Sequence, residues 1–186
     1  MPEIMEIFEK SGALLNGHFR LTSGLHSPVY FQCALVLQYP DYCRQIAEKI
    51  RQYFSTKKID VVIAPAVGGI VIGQEVGRLL GVRTIFSERK DGVMALRRGF
   101  TIAADEKVLV CEDVVTTGGS VFEVIEIVKK VKAQVAGVGF IVDRSGGQVK
   151  FGYDQYAVVQ LSAQTYDPAD CPLCKTNVPL VKPGSR

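Results

Sequence analysis

Two adjacent acids, Glu112 and Asp113, lie between a run of apolar residues and a loop of small residues. Residues 107–111, of which the last four are apolar, have the composition of a buried strand, and a helical pattern follows the loop. In residues 116–120, threonine, glycine and serine leave room for an anion to approach backbone N–H groups at the helix start, where the helix dipole favours negative charge. Carboxylates about one sugar length away are strong acceptors for vicinal hydroxyls. The spacing therefore predicts a site for a sugar phosphate.

The spacing of residues in this loop distinguishes it from two other phosphate-binding loops. A Walker A loop needs Gly-Lys-Ser or Gly-Lys-Thr, and no lysine follows Gly118 or Gly119. A dinucleotide fingerprint needs G-x-G-x-x-G spacing, which this loop does not have. An ordinary capped helix, with Thr117 or Ser120 as the N-cap, is the structural alternative. Capping alone leaves the two acids unexplained, because carboxylates at the carboxyl end of a strand in a doubly wound sheet lie at its ligand-binding edge.

The elements around this segment alternate between strand and helix. β-Branched runs predict strands at residues 60–65, 82–86, 107–111, 135–142 and 157–161. Amphipathic stretches between them predict crossover helices, such as the one from about residue 119 to residue 132. Because parallel neighbours need crossovers, the alternation predicts an α/β fold, a doubly wound parallel sheet flanked by helices.

The ends of the chain carry other patterns. An apolar stripe predicts a helix over residues 2–15, and turn formers predict a hairpin or an irregular arm over residues 17–28. A further helix is predicted to start near Pro40, where proline suits a first helical turn. The tail after Tyr166 contains several prolines, and we expect it to be irregular.

Length, charge and composition exclude several classes of protein. A chain of 186 residues suits a single domain. A net charge of +3 without a long basic run argues against nucleic acid as a partner. The apolar runs are far shorter than the ~20 residues that cross a bilayer, so no membrane partner is expected. The acidic N-terminus lacks the basic region of a signal peptide, and five cysteines suit a reducing compartment, so we expect a cytoplasmic location.

Residues 108–120 resemble the thirteen-residue phosphoribosyl pyrophosphate motif of the type I phosphoribosyltransferases, which has four apolar residues, two acids and a Thr/Gly/Ser loop. Residues 17–31 resemble the N-terminal, substrate-covering hood of the orotate phosphoribosyltransferases within that family, and Val142-Asp143-Arg144 resembles the end of a late strand in them. The resemblance spans nearly the whole chain. It implies one phosphoribosyltransferase domain over residues 1–186, with the hood formed by residues 1–35 and the C-terminal tail.

The resemblance also implies a reaction and its partners. Ribose 5-phosphate would pass from phosphoribosyl pyrophosphate to N1 of orotate, giving orotidine 5'-monophosphate and pyrophosphate in pyrimidine biosynthesis. Mg²⁺ would be the cofactor, bound mainly to pyrophosphate and ribose oxygens with few direct protein ligands, so no residue is assigned to it. A homodimer is implied as well, because the family's catalytic loop reaches into the neighbouring subunit.

By the same resemblance, Glu112 and Asp113 hold the 2- and 3-hydroxyls of the ribose. The 5-phosphate would be held by the loop residues Val114, Val115, Thr116, Thr117, Gly118, Gly119 and Ser120. Thr116 and Arg144 match orotate contacts in the family, and a guanidinium suits a carboxylated ring because it can pair bidentately. A surface salt bridge is the alternative for Arg144. Tyr30 and Phe31 match a position that stacks on the pyrimidine, with plain core packing as the alternative.

Two more loops match parts of the family's active site. Residues 65–69 correspond to the loop that binds pyrophosphate through its backbone, and relatives suggest a cis peptide near Ala66-Val67. The glycines at 69, 73 and 77 that follow are better explained by tight helix packing. Residues 87–99 resemble a short form of the catalytic lid, in which Arg89 and Lys90 would neutralise the departing pyrophosphate. The alternative there is a solvated β-hairpin with exposed charges. Lys90, Glu112 and Asp113 are the predicted catalytic residues.

Cys171 and Cys174 have the C-x-x-C spacing of half a zinc site, but no second cysteine pair is present. The two histidines, His18 and His26, stand more than 140 residues earlier in the chain. We therefore expect two ordinary thiols and no metal ligands within one chain, with a metal conceivable only across a dimer interface.

Two other functions share part of this pattern. A purine or xanthine phosphoribosyltransferase would share residues 108–120 but should lack the hood and Arg144. A regulator that uses the phosphoribosyl site as a sensor would need a basic face or an added DNA-binding segment, and neither is evident at a net charge of +3.

Overall fold

The computed structural model describes residues 4–21, 23–161 and 164–183. The chain divides into two compact units, one formed by Met1–Val36 with Ser162–Arg186 and the other by Leu37–Leu161. Within the described ranges, none of the helices combines the length and the apolar character that a bilayer crossing requires. The single domain and the cytoplasmic location stay predictions.

The larger unit is built on a six-stranded sheet. Its strands are β3 (Val61–Pro65), β4 (Arg83–Lys90), β5 (Val93–Leu96), β6 (Lys107–Val115), β7 (Gln134–Asp143) and β8 (Gln155–Gln160). Their order is β5-β4-β3-β6-β7-β8, and all neighbours are parallel except β5, which pairs antiparallel with β4 at one edge. The α/β fold with a largely parallel sheet flanked by helices is confirmed.

Helices α4 (Gly69–Leu80) and α5 (Gly119–Lys130) provide crossovers between parallel strands, and α3 (Pro40–Tyr53), which precedes the first strand of the sheet, packs against β7 and β8. Helix α3 starts at a proline, as predicted, and buries residues at the spacing of one helix face, namely Cys43, Ile46, Ala47 and Ile50. The apolar stripe of α5 joins a cluster with strand residues such as Val61 and Val110. Helix α4 contacts β3, β4 and β6.

The glycines of α4 allow the helix to lie close to the sheet. A Cβ added to Gly73 would stand 3.0 Å from the Cβ of Ala64 on β3, and one added to Gly77 would overlap Thr84 on β4. Any larger side chain would push the helix away from the strands. The packing explanation for this glycine series is confirmed.

The smaller unit contains a three-stranded sheet. Its elements are α1 (Ile4–Lys10), β1 (Leu14–Arg20), β2 (His26–Phe31), α6 (Pro172–Lys175) and β9 (Leu180–Val181), and α2 (Cys33–Leu37) spans the point where the chain passes into the larger unit. Strands β1 and β2 form the predicted hairpin, and β9 pairs with β1 through two residues. The tail is therefore less irregular than its prolines suggest.

The structure corrects three element boundaries. The helix predicted over residues 2–15 ends at Lys10, because Gly12 turns the chain with a φ of +68° and Leu14 already begins β1; residues 2 and 3 lie outside the described residues. Strand β4 runs on to Lys90, since β5 pairs with it. Strand β6 runs to Val115 instead of residue 111, because β7 keeps pairing with it.

Strand β6 is paired to different lengths on its two sides. The register with β3 ends at Ile63 and Val110, whereas the register with β7 continues to Val115 and Asp143. The last residues of β6, which include both acids, are therefore paired with β7 but not with β3.

Candidate active site

The acid pair lies inside the end of β6, not after it. Glu112 is buried, with 8% of its surface exposed, and Asp113 is half-buried. Each carboxylate accepts a hydrogen bond from the next backbone amide: the N–H of Asp113 lies 3.0 Å from Glu112 Oε1, and the N–H of Val114 lies 2.8 Å from Asp113 Oδ1. These bonds hold both carboxylates in fixed orientations before any ligand arrives.

Burial raises the pKa of Glu112 well above its usual value, and the charge of Asp113 raises it further. A carboxylate removed from water and placed beside a second one is disfavoured in its ionised form. A cation or several hydroxyl donors at this point would stabilise the ionised pair. The site thus has the electrostatics of one that receives a hydroxyl-rich or cationic ligand.

The loop of residues 65–69 lies against the acid pair. A Cβ added to Gly68 would overlap the carboxylate of Asp113, and one added to Gly69 would stand 3.1 Å from Glu112 Oε1. The N–H of Ala66 donates to the carbonyl of Ser87 on β4 at 2.7 Å, which ties this loop to the neighbouring strand. The peptide between Ala66 and Val67 is cis, as the resemblance suggested. Glycine at both positions therefore permits two candidate binding loops to meet.

The small-residue loop opens directly into α5. Gly118 is the N-cap, with a φ of +76°, and no side chain in the described part of the chain caps the first turn. The alternative of Thr117 or Ser120 as the N-cap is wrong, because Gly118 takes that place in a left-handed conformation. The first amides of α5 thus have no capping side chain and remain directed at the loop.

The end of β6, the small-residue loop and the start of α5 line a cleft of about 230 Å³. The residues that line it are Arg89, Glu112, Val114, Val115, Thr116, Thr117, Gly118, Gly119, Ser120 and Val121. Seven of them are the loop residues 114–120 predicted to hold a phosphate. The structure therefore brings one acid, the helix N-terminus and one cation together around a single space.

Arg89 reaches this cleft from β4. Its guanidinium donates to both carboxylate oxygens of Glu123 on α5, with one distance of 2.9 Å, and to the carbonyl of Gly92 at 3.0 Å. The paired carboxylate raises the pKa of Arg89. Sequence reasoning identified Arg89 but missed Glu123, which lies on the exposed side of a helix and looked like an ordinary surface acid.

Lys90 is placed differently. It is the last residue of β4 and is exposed, but it is not among the residues that line the cleft. Successive side chains of a strand point to opposite faces, so Arg89 and Lys90 diverge. The surrounding segment forms the β4–β5 hairpin, in which Arg97 lies 3.1 Å from Glu88 and Arg98 also pairs with Glu88. The described fold thus matches the hairpin alternative for residues 87–99.

Arg144 follows β7 at the same edge of the sheet. Its backbone N–H donates to the carbonyl of Val115, within the phosphate loop, at 2.8 Å, but its side chain is not in the lining of the cleft. The buried carboxylate of Asp143 accepts hydrogen bonds from the N–H of Ser145 at 2.8 Å and from the N–H of Gly147 at 3.0 Å. Asp143 therefore shapes the turn that carries Arg144, a role its sequence position alone did not reveal.

Tyr30 and Phe31 belong to the smaller unit. Phe31 is buried and meets Phe8 edge to face, with ring centroids 5.4 Å apart. Tyr30 packs against Phe19 at 5.7 Å. Core packing, the alternative given for this pair, accounts for Phe31.

The structure contradicts the separation expected between the histidines and the cysteine pair. His18, His26, Cys171 and Cys174 come together in one chain, and their candidate ligand atoms all lie within 4.8 Å of one another. The reason is topological: β1 and β2 bring the two histidines together, and the C-terminal tail returns to pair with both strands. Distance along the sequence was a poor guide here.

Comparisons with known proteins agree with this geometry. The family model described as phosphoribosyl transferase domain matches residues 36–167. The chain is 61% identical over 185 residues to orotate phosphoribosyltransferase of Chlorobium phaeobacteroides (strain BS1), covering all of this chain and 96% of the relative. It is 54% identical to the protein of the same name from Desulforamulus reducens, over 99% of this chain and 96% of that one.

Among solved structures, orotate phosphoribosyltransferase from Aeropyrum pernix superposes with a TM-score of 0.75 at 23% identity. The superposition covers 85% of this chain and 93% of that one. At 23% identity this similarity supports the fold alone.

Proposed function

Given that the chain belongs to the orotate phosphoribosyltransferases within the phosphoribosyl transferase domain family, we propose that the cleft at the end of β6 holds the ribose 5-phosphate. The enzyme transfers ribose 5-phosphate from phosphoribosyl pyrophosphate to orotate and releases pyrophosphate. The bond from C1 of the ribose to pyrophosphate breaks as the bond to N1 of orotate forms. The residues below are assigned to the parts of this reaction.

The observation that carries the proposal is the uncapped N-terminus of α5 beside a buried acid. The 5-phosphate would accept hydrogen bonds from the amides of residues 117–120 and from the hydroxyl of Thr117, assisted by the helix dipole. Glu112 and Asp113 would accept hydrogen bonds from the 2- and 3-hydroxyls. Both carboxylates are already oriented by backbone amides, so little reorganisation is needed on binding.

The leaving pyrophosphate would lie against residues 65–69. The closeness of Gly68 and Gly69 to the acids supports this, because the pyrophosphate leaves from the same ribose that the acids hold. Arg89 would turn from Glu123 towards the departing anion. Charge that grows on pyrophosphate in the transition state is stabilised by such fixed amides and cations.

Mg²⁺ fits the donor set of this cleft. Glu112 and Asp113 offer hard carboxylate oxygens, the ligand type that Mg²⁺ prefers, and burial together with the charge of Asp113 raises the pKa of Glu112, a cost that a bound cation would offset. When bound with the substrate, Mg²⁺ would neutralise negative charge on pyrophosphate. The two acids would face its coordinated waters or the ribose hydroxyls.

Orotate would be recognised by Thr116 and Arg144. Thr116 lines the cleft, and the backbone of Arg144 is bonded to the residue that precedes Thr116. Both relatives reported above carry orotate in their names, which favours orotate over a purine or xanthine as the base.

We assign Lys90 to the active site of a neighbouring subunit. Its side chain diverges from its own cleft while it stands on an exposed hairpin, which suits a residue that acts across an interface. The assignment requires a homodimer with two-fold symmetry, so that each hairpin serves the other subunit.

The proposal is tested by turnover with phosphoribosyl pyrophosphate, Mg²⁺ and orotate, followed by the loss of orotate absorbance. Asp113→Asn removes an anionic acceptor at nearly constant volume, and we expect kcat/KM to fall by about 100-fold or more while the melting temperature stays close to that of the native protein. Asp170→Asn, at an exposed position of the tail, is the matched control. Unchanged turnover in Asp113→Asn would refute the roles assigned to the acid pair, and turnover of hypoxanthine or xanthine but not of orotate would refute the substrate.

A further inference from the structure

A cluster of two histidines and two cysteines lies in the smaller unit, outside the proposed catalytic cleft. His18 is on β1, His26 begins β2, and Cys171 and Cys174 stand at the start and within α6. The Sγ of Cys171 is 3.5 Å from His18 Nε2, and the Sγ of Cys174 is 3.7 Å from the same nitrogen and 3.3 Å from His26 Nδ1. The two nitrogens are 2.8 Å apart.

These distances are close to the edges of a tetrahedron around zinc. Bonds of ~2.0–2.1 Å to nitrogen and ~2.3 Å to sulfur place neighbouring nitrogen and sulfur ligands about 3.6 Å apart. The three nitrogen–sulfur distances, 3.3 to 3.7 Å, bracket that value. The nitrogen–nitrogen distance is the short one, and it would lengthen by roughly 0.5 Å around an ion.

The environment of His18 prepares one nitrogen as a ligand. Its Nδ1 lies 2.8 Å from the carbonyl oxygen of Val178, which can only accept a hydrogen bond. The proton is therefore on Nδ1, and the lone pair of Nε2 faces both cysteines and His26. Metal-bound histidines commonly donate their second ring N–H to a carbonyl in this way, which fixes the tautomer and the ring orientation.

The tail that carries the cysteines has little else to hold it. Among the described residues after 163, Cys171 alone is buried, while the strand contact of the tail is limited to β9 and a bridge between Tyr166 and His26. A segment with so few apolar contacts is poorly stabilised by a hydrophobic core. In small units of this kind a structural metal ion commonly supplies the missing stability.

The alternative is a metal-free cluster with a histidine–histidine hydrogen bond and two thiols. It explains the 2.8 Å contact, but it leaves both sulfurs and both ring nitrogens converging on one point without a common partner. Four ligands of the two types that zinc prefers, at tetrahedral spacing, are explained more completely by an ion.

We propose that His18, His26, Cys171 and Cys174 bind one Zn²⁺ ion in a closed tetrahedral site that fastens the C-terminal tail to the β1–β2 hairpin. All four positions are taken by protein ligands, so the role is structural and no position is left for a substrate. Binding releases the two thiol protons, because cysteine coordinates as the thiolate. The site holds together two segments separated by more than 140 residues of chain.

Metal content is the first test. The full chain is purified without a polyhistidine tag, reduced under inert gas, depleted of metal with a chelator and titrated with Zn²⁺ and, separately, with Co²⁺. We expect about one ion per chain and, with Co²⁺, the visible absorption bands of a tetrahedral site with thiolate ligands. Cys174→Ser, at an exposed position, and His26→Gln should each lose most of the binding. Cys43→Ala, which removes a thiol of the larger unit, should retain it.

The second readout is the stability of the tail. Removing zinc should lower the melting temperature and speed proteolytic cleavage within residues 164–183 in the native sequence, but it should leave Cys174→Ser unchanged. Binding of fewer than about one ion per ten chains to the reduced protein would overturn the proposal, as would equal binding by Cys174→Ser and the native chain. Octahedral cobalt spectra without thiolate bands would overturn it as well.

Discussion

The side chain of Glu112 shows a conflict between folding and function at the scale of one residue. Its pKa is raised by burial and by the charge of Asp113, so ionisation of Glu112 is disfavoured in the empty site. Binding of ribose hydroxyls or of a cation favours the ionised form. The empty enzyme therefore carries a local cost at neutral pH that its ligands relieve, as is common where a binding site has been built into a stable core.

This conflict predicts a pH-dependent gain in stability for Glu112→Gln. The pKa is higher in the folded chain than in the unfolded one, so native stability falls as pH rises from the unfolded value of 4.5 through the folded value. Glutamine does not ionise and can still accept the amide hydrogen bond of Asp113. The melting temperature of the variant should exceed that of the native protein by a margin that grows with pH, on the scale of about 2–4 °C for each kcal/mol.

Thermal unfolding at several pH values between about 4 and 8 measures this margin. Glu126→Gln is the matched control, because Glu126 is an exposed acid of α5 whose ion pair with Lys129 contributes little. A margin that is the same at every pH, or one that the control reproduces, would contradict the explanation.

At the scale of an element, the start of α5 depends on Gly118. The residue has a left-handed conformation, and behind it stand Phe151 and Val149, each with an atom 2.8 Å from the place of an added Cβ. The left-handed conformation and the lack of space both require glycine at this position. Because glycine has no side chain to cap the helix, the first amides of α5 stay exposed to the cleft. The element thus gives up the stability of an N-cap in order to keep an anion site open.

Gly118→Ala should therefore affect both stability and substrate binding. Alanine in the left-handed region costs about 1 kcal/mol, and the contact with Phe151 and Val149 adds to that cost by shifting the loop. We expect KM for phosphoribosyl pyrophosphate to rise by about tenfold, or 1.4 kcal/mol. Steady-state kinetics and thermal unfolding measure the two effects.

Gly152→Ala separates backbone strain from crowding. Its φ of +78° is close to that of Gly118, but no atom lies within 4 Å of its added Cβ. This variant should lose a similar amount of stability from strain while its KM stays unchanged. If both variants raised KM equally, the crowding argument would be wrong.

At the scale of the whole molecule, the assignment of Lys90 to a neighbouring subunit can be tested by complementation. Lys90→Ala and Asp113→Asn should each be nearly inactive alone. When the two variants are mixed under conditions of subunit exchange, half of the dimers contain one of each, and each mixed dimer regains one complete site. Activity should return to about a quarter of the native value.

Recovery is measured by orotate turnover against the unmixed variants. A mixture that stays inactive although mass spectrometry shows mixed dimers would mean that Lys90 serves its own subunit. A chain that remains monomeric at working concentration would remove the basis for the assignment.

Much of the architecture could be predicted from sequence, because β-branched runs and helical stripes are local signals. The sequence predicted a doubly wound parallel sheet but not the order of its strands. The end of α1 was missed because Gly12 turns the chain inside an apolar stripe. In the site, Glu112 and Gly118 were recognised because they belong to one short sequence motif. The contact of Gly68 with Asp113 and that of His18 with Cys174 were not predicted, because both depend on residues that are far apart in the sequence.

The unequal pairing of β6 limits how such a protein can change during evolution. Strand β3 runs two residues past its last pair with β6 and ends at Pro65, which has no N–H to donate, so residues 111–115 of β6 stay unpaired on that side. A mutation that let β3 pair further with this overhang would draw the loop of residues 65–69 into the sheet and away from the place where Gly68 and Gly69 meet the two acids. Adaptation to another base is therefore expected through substitutions in the surrounding loops, while the length of one short strand stays constant.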